Sequence, residues 1–183
     1  GLYSYDGYRL REFRQQEGHP RTLGDNYVRA LLARADGSLW VATQAAGISI
    51  YRPESDDFEA LRHDPGNPDA PSSNGSIALA QQADGVVWIG YGGTGLDRYD
   101  PASKRFEHFR KPQLAHDTVR ALLVDRRGDL WLGGGDGLQR RRAGSAAFER
   151  IASEAGVADG LAGQYVYALF EAGDGRIWIG TQA

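Results

Sequence analysis

The chain reads as all-β: a β-propeller built of four-stranded antiparallel blades, about four blade equivalents in three complete units plus two complementary halves, and expected to be part of a larger propeller. Three observations predict this. Trp40, Trp88, Trp131 and Trp178, which are all the tryptophans present, recur at intervals of 48, 43 and 47 residues. Each comes three positions after a glycine, at Gly37, Gly85, Gly128 and Gly175. The segments before those glycines, VRALLARADG, SIALAQQADG, VRALLVDRRG and VYALFEAGDG, align Ala30, Ala78, Ala121 and Ala168 in one column and Leu31, Leu79, Leu122 and Leu169 in the next.

Each unit has four segments. The first is apolar at consecutive positions, the pattern of a strand buried on both faces, and the alanine column suits a crowded centre where larger side chains would overpack. An Asp-Gly or Arg-Gly turn leads to the second segment, WVAT, WIGY, WLGG or WIGT. A glycine opens the third, GISIYRP, GLDRYDP or GLQRRRA, and the chain's own start, GLYSYDG, belongs to this class. The fourth carries apolar residues three apart, in LREF, FEAL, FEHF and FERI. That spacing also suits a helical turn, but the segments are short and rich in aromatics, so strands are expected. The complete units are 28–62, 76–110 and 119–151, with 165–183 and 1–13 as half blades. Joining IWIGTQA to GLYSYDG would regenerate a fourth unit, which permits a closed four-bladed ring, although any array cut in the same register would show the same complementarity. Each tryptophan is expected to anchor one blade on its neighbour.

Composition narrows the function classes. With 24 acidic and 21 basic residues and no long block of one sign, no nucleic-acid partner is expected. The basic cluster Arg140–Arg142 falls where a solvated outer strand is expected. The absence of cysteine excludes disulfides and thiolate chemistry and leaves the compartment open. No apolar run approaches a membrane span, and the first residues show neither a signal-peptide core nor an initiator Met, so the sequence is expected to be a piece of something longer.

Short motifs yield little. Gly90, Gly92 and Gly95 spell G-x-G-x-x-G, but the next residues are LDRYDP, a strand-length segment closed by Pro101, where a nucleotide-binding loop would open a helix. Arg127-Gly128-Asp129 falls on a turn that reads Asp-Gly in the other copies. Asn74-Gly75-Ser76 matches a glycosylation pattern too common to weigh. His19, His63, His108 and His116 lack metal-ligand spacing, lie in or beside predicted loops, and are expected to be solvated. No cofactor and no metal is expected.

DGSLWVAT, DGVVWIG, GDLWLG and DGRIWIGT, each leading to a G-[LI]-x-x-[YR] or equivalent segment, together with YDPASKRFEHF and the loop HDPGNPDAPSSNGS, resemble the two-component regulator propeller repeats of bacterial sensor proteins. The likeness runs along essentially the whole chain, and the third copy departs only at Arg127 and Arg141. The resemblance implies the periplasmic input half of a hybrid histidine kinase or diguanylate cyclase receptor. It implies rings of about seven blades and, as partners, the remaining blades and downstream domains of the same receptor.

On that reading the chain is a non-catalytic ligand-sensing propeller for an unknown small molecule or oligosaccharide. The candidate ligand-binding residues cluster just before and within the first strands: Asn26, Asn74, Asp117 and Gln164 in one polar column, with Tyr27, Arg29, Arg120 and Tyr167 beside it. Amide, guanidinium and aromatic groups suit a polar ligand, but a repeated amide can equally tie one blade's loop to the next. Gln44, Tyr91, Asp136 and Gln182 are weaker candidates. A protein-interaction scaffold is one alternative. A propeller lyase or glycoside-acting enzyme is another, for which His116 with Asp117 is the sole neighbouring acid–base pair at the expected mouth. A homodimer is a further expectation, since an isolated piece would expose sheet faces and edges.

Overall fold

The computed structural model describes residues 1–151 and 165–182. Sixteen strands are present among them and every sheet is antiparallel. In chain order these are β1 (Leu2–Tyr5), β2 (Leu10–Phe13), β3 (Val28–Ala33), β4 (Leu39–Thr43), β5 (Ile48–Arg52), β6 (Asp57–Leu61), β7 (Ser76–Gln81) and β8 (Val87–Tyr91). The remainder are β9 (Leu96–Asp100), β10 (Arg105–Phe109), β11 (Val119–Val124), β12 (Leu130–Gly134), β13 (Gly137–Arg141), β14 (Glu149–Ile151), β15 (Val166–Glu171) and β16 (Ile177–Thr181). They form three four-stranded meanders, β3–β6, β7–β10 and β11–β14, and two two-stranded sheets, β1–β2 and β15–β16. The segments with apolar residues three apart are therefore strands.

The chain divides into two compact units, Gly1–Ile77 and Ala78–Ala183, and each is described by itself. In the N-terminal unit Leu2, Leu23, Val41 and Phe58 are buried together, joined by Phe13, Val28, Leu39 and Tyr51. The rings of Phe13, Tyr51 and Phe58 meet edge-on or tilted with centroids 5.3–5.7 Å apart. Half blade β1–β2 is thus held to the following sheet by an aromatic knot, and Arg11 adds a two-pronged ion pair to Asp56 at 2.7 Å.

In the C-terminal unit the core gathers Val86, Trp88, Leu96, Phe109, Leu114, Val119, Leu130 and Leu132. Trp88 is wholly buried: Phe109 of its own sheet lies 5.7 Å from its ring, Phe148 packs edge-on against Trp88 and Phe109 at 6.5 and 5.3 Å, and Arg141 of the next sheet lies 5.3 Å over the indole. The backbone comes equally close. A Cβ on Gly90 of β8 would sit 2.8 Å from the Val119 carbonyl oxygen of β11, so only glycine lets these strands approach. Gly95, at φ +89°, opens β9, and a Cβ there would run into the Phe109 carbonyl. The G-x-G-x-x-G spacing is accounted for by these strand contacts, with Gly92 bridging to Thr118.

Four expectations need correction. The first strands are not buried evenly on both faces. Their burial alternates, fully covered and half-covered along β7 and half-covered and exposed along β3, because successive side chains point to opposite faces and neighbouring sheets cover them unequally. The alanine column does the same: Ala78 and Ala121 are buried, Ala30 is half-buried and Ala168 exposed. Arg140 and Arg141 are not on a solvated outer strand. They occupy β13, the third strand, where they lie 5.4 Å over Trp131 and 5.3 Å over Trp88, while Arg142 beyond the strand is exposed.

The tryptophans are not equivalent either. Trp40 and Trp88 are buried, Trp131 is half-buried with its Nε1–H donated to Asp125 at 2.8 Å, and Trp178 is 59% exposed. Finally, His108 is no solvated loop residue. It lies within β10, half-buried, its Nδ1 2.7 Å from the buried Asp97 carboxylate, whose other oxygen accepts the Tyr91 hydroxyl at 2.8 Å.

Candidate functional site

The polar column does one thing three times. Asn26, Asn74 and Asp117 each accept, on a side-chain oxygen, the backbone N–H of the residue two positions past a fourth strand: Gln15 at 2.9 Å, His63 at 2.8 Å and Lys111 at 2.8 Å. Their carbonyls take the N–H groups that open the preceding third strands, from Gly1 at 2.6 Å, Gly47 at 2.8 Å and Gly95 at 2.7 Å. An Asn or Asp in one register thus satisfies two otherwise unpaired backbone donors where the chain passes from blade to blade. Gln164, the fourth member of the column, lies outside the described residues. His116 and Asp117, the acid–base pair of the enzyme alternative, are similarly engaged, His116 Nδ1 accepting the Thr118 N–H at 2.9 Å.

A different feature brings the remaining candidates together. Strands β3, β11 and β15 each carry a register shift against their partner, between Val28 and Ala30, Val119 and Ala121, and Val166 and Ala168. The extra residue is Arg29, Arg120 or Tyr167. A bulge of this kind re-aims one side chain without breaking the sheet. Three of the four residues read as ligand candidates beside the polar column are therefore the bulged ones, and the fourth, Tyr27, directly precedes β3.

In the N-terminal unit the Arg29 guanidinium stacks 4.6 Å over the Tyr27 ring and donates to Gln44 Oε1 at 2.6 Å. Tyr27 is 56% exposed. In the C-terminal unit Tyr167 donates its hydroxyl to Gln182 Oε1 at 3.0 Å, its ring lies 5.9 Å from that of Tyr165 at an interplanar angle of 26°, and Arg120 sits 5.7 Å above it. The two rims are built alike: the Gln44 N–H donates to the Tyr27 carbonyl and the Gln182 N–H to the Tyr165 carbonyl, both at 3.0 Å.

Tyr165 is a site residue that the repeat pattern alone did not single out. The signal was present, since Tyr27-Val28 precedes Thr43-Gln44 by the same interval as Tyr165-Val166 precedes Thr181-Gln182. Of the weaker candidates, Gln44 and Gln182 join these rims, Asp136 is paired with Arg150 at 2.8 Å, and Tyr91 is buried on Asp97. A shallow concavity lined by Pro20, Arg21, Asp57, Phe58 and Arg62 lies against β6, at the edge of its sheet opposite β3.

Four-stranded antiparallel sheets repeated in register define the class: the chain is a partial β-propeller. The description of the two component regulator propeller family matches residues 22–45, 113–136 and 160–183. No curated protein matches the chain by sequence. Among solved structures it is similar to the extracellular domain of a candidate hybrid two component system, BT3049, from B. thetaiotaomicron, at 22% identity and TM-score 0.83, over 99% of this chain and 25% of that one. The extracellular domain of BT4673 from the same organism matches at 23% identity and TM-score 0.77, over 99% and 24%. Virginiamycin B lyase from Staphylococcus aureus is more distant, at 15% identity and TM-score 0.61, over 84% and 48%. The chain spans about a quarter of the length of the two extracellular domains.

Proposed function

We propose that this chain is part of the ligand-sensing input of a bacterial signal-transduction receptor, that it lies in the periplasm, and that it takes a small molecule or oligosaccharide at the rim of the first strands without transforming it. The remaining blades and the output domains of the receptor are its covalent partners. The observation that carries the reading is the bulge repeated at Arg29, Arg120 and Tyr167, which turns a guanidinium or a phenol out of an otherwise regular strand at the same place in three repeats. Tyr27, Tyr165 and Tyr167 offer exposed aromatic surface there, and Gln44 and Gln182 supply amides. Asn26 and Asn74 fix the loops beside the rim of the N-terminal unit and Asp117 does so in the C-terminal unit, with Gln164 in the same column of the sequence.

Two observations favour binding over catalysis. The sequence neighbours His116 and Asp117 are each spent on a backbone donor, and the His108–Asp97 contact is built on an aspartate with no exposed surface. The test is a thermal-shift screen of the purified chain against small polar molecules and oligosaccharides, with mass analysis of whatever binds. A ligand recovered unchanged, whose stabilisation is lost in Tyr27→Ala or Tyr167→Ala, supports sensing. Conversion of the ligand would establish an enzyme instead, and a hit indifferent to both substitutions would move the site elsewhere.

A further inference from the structure

The bulged arginine of the C-terminal unit lacks the carboxylate that several arginines of that unit hold, and shares with Arg140 and Arg141 a buried, unpaired Nε. Arg126, Arg150 and Arg176 hold carboxylates at 2.6–2.8 Å. Arg120 has no carboxylate within ion-pairing distance among the described residues, and its Nε is shut off from water with no acceptor. The nearest acid in sequence, Asp117, has turned an oxygen to the Lys111 N–H. Its counterpart Arg29 is exposed and bonded to Gln44, whereas Arg120 is half-buried with its guanidinium 5.7 Å over the Tyr167 ring. A guanidinium stripped of part of its hydration and given no counter-charge attracts an anion strongly, and its planar fork of N–H groups matches a carboxylate.

Beside it stand Tyr165 and Tyr167, near-parallel and 39% and 47% exposed, with the Gln182 amide at the Tyr167 hydroxyl. We infer that the rim formed by Arg120, Tyr165, Tyr167 and Gln182 binds an organic carboxylate: a ligand whose carboxylate meets Arg120 while an adjoining ring or apolar face lies on the tyrosines. This rests on the reading of the rim as the ligand face and adds the charge of the ligand. The ring is supplied equally well by a sugar acid or an aromatic acid, since both present an apolar face next to a carboxylate.

The experiment tracks the ring resonances of Tyr165 and Tyr167 during titration with two matched pairs, galacturonate against galactose and benzoate against benzyl alcohol. At least one acid should shift them with an affinity about tenfold or more above its neutral partner, as loss of a charge-assisted bond implies. Which acid does so identifies the kind of ring. That preference should fade as salt rises to about 0.5 M and disappear in Arg120→Gln. It should persist in part in Arg120→Lys, and in full in Arg142→Gln, which makes the same change of net charge at an exposed site. If acids and neutral partners shift the rings equally, the rim is a ligand face with no use for charge and this inference falls alone. If none of the four compounds moves either ring, the inference and the placement of the ligand at this rim fall together.

Discussion

Trp88 and Trp178 occupy the same place in the repeat, second residue of a second strand, with Ile-Gly next in both. Trp88 has no exposed surface, and Trp178 is 59% exposed. Nothing within their own strands accounts for this. Trp88 is roofed by Phe148, just before β14, and by Arg141 of β13 in the following sheet, whereas over Trp178 lies Arg176 of its own sheet's turn, at 5.8 Å. Phe170, which pairs with Trp178 across the sheet, is 65% exposed as well. The motif therefore fixes where the indole stands, and the next repeat decides whether it is buried. Propeller blades store part of their stability in their neighbours.

The largest effect should come from truncating the two rings. Trp88→Ala removes a fully enclosed aromatic and is expected to cost about 3–5 kcal/mol, whereas Trp178→Ala should cost less than about 1 kcal/mol. Chemical denaturation of both variants measures the difference, and equal losses would break the comparison. Next in size is the backbone contact beneath Trp88. Gly90→Ala forces a methyl against Val119 and should cost about 1–3 kcal/mol, while Gly93, around which a Cβ would meet nothing within 4 Å, should accept alanine with a change near zero. Smaller still is a spectroscopic consequence: Trp178→Phe should remove most of the emission that an added quencher reaches, and Trp88→Phe almost none of it.

Legibility in the sequence divides along the same line. Strand positions could be read because Trp, Gly and Ala recur at intervals that only a repeated sheet explains. The polar column was visible, but its work could not be read from one strand: Asn74 faces a backbone N–H eleven residues earlier, a pairing set by how the chain crosses between blades. The bulges at Arg29, Arg120 and Tyr167 were invisible for a related reason, since an extra residue exists only relative to the partner strand. Arg140 and Arg141 were misplaced because charge alone suggests solvent, whereas their guanidinium planes lie on indoles.

The smallest expected effect concerns the polar counterpart of the Trp88 contact. Arg11 of β2 grips Asp56 in the turn before β6, and the Tyr51 hydroxyl donates to the same carboxylate at 2.7 Å. The Arg11 fork first, then that hydroxyl, hold the Asp56 carboxyl below its ordinary value. Asp174 is also held low, first by the Arg176 side chain and then by its backbone N–H, within the β15–β16 turn. Because the folded value of Asp56 lies below the unfolded one near 4, its contribution is complete above the unfolded value and is lost as pH falls through the folded value. Asp56 has φ +55°, a conformation asparagine tolerates, so Asp56→Asn removes the charge with little backbone strain. At neutral pH the variant should unfold about 1–2 °C early, with faster hydrogen exchange in β1–β2. The gap to the parent should close as pH falls past the unfolded value near 4 and through the lowered folded one. Asp174→Asn should leave exchange in β1–β2 unchanged. Equal exchange in the two variants would mean that the half blade is held by its aromatic contacts alone, with the ion pair a bystander.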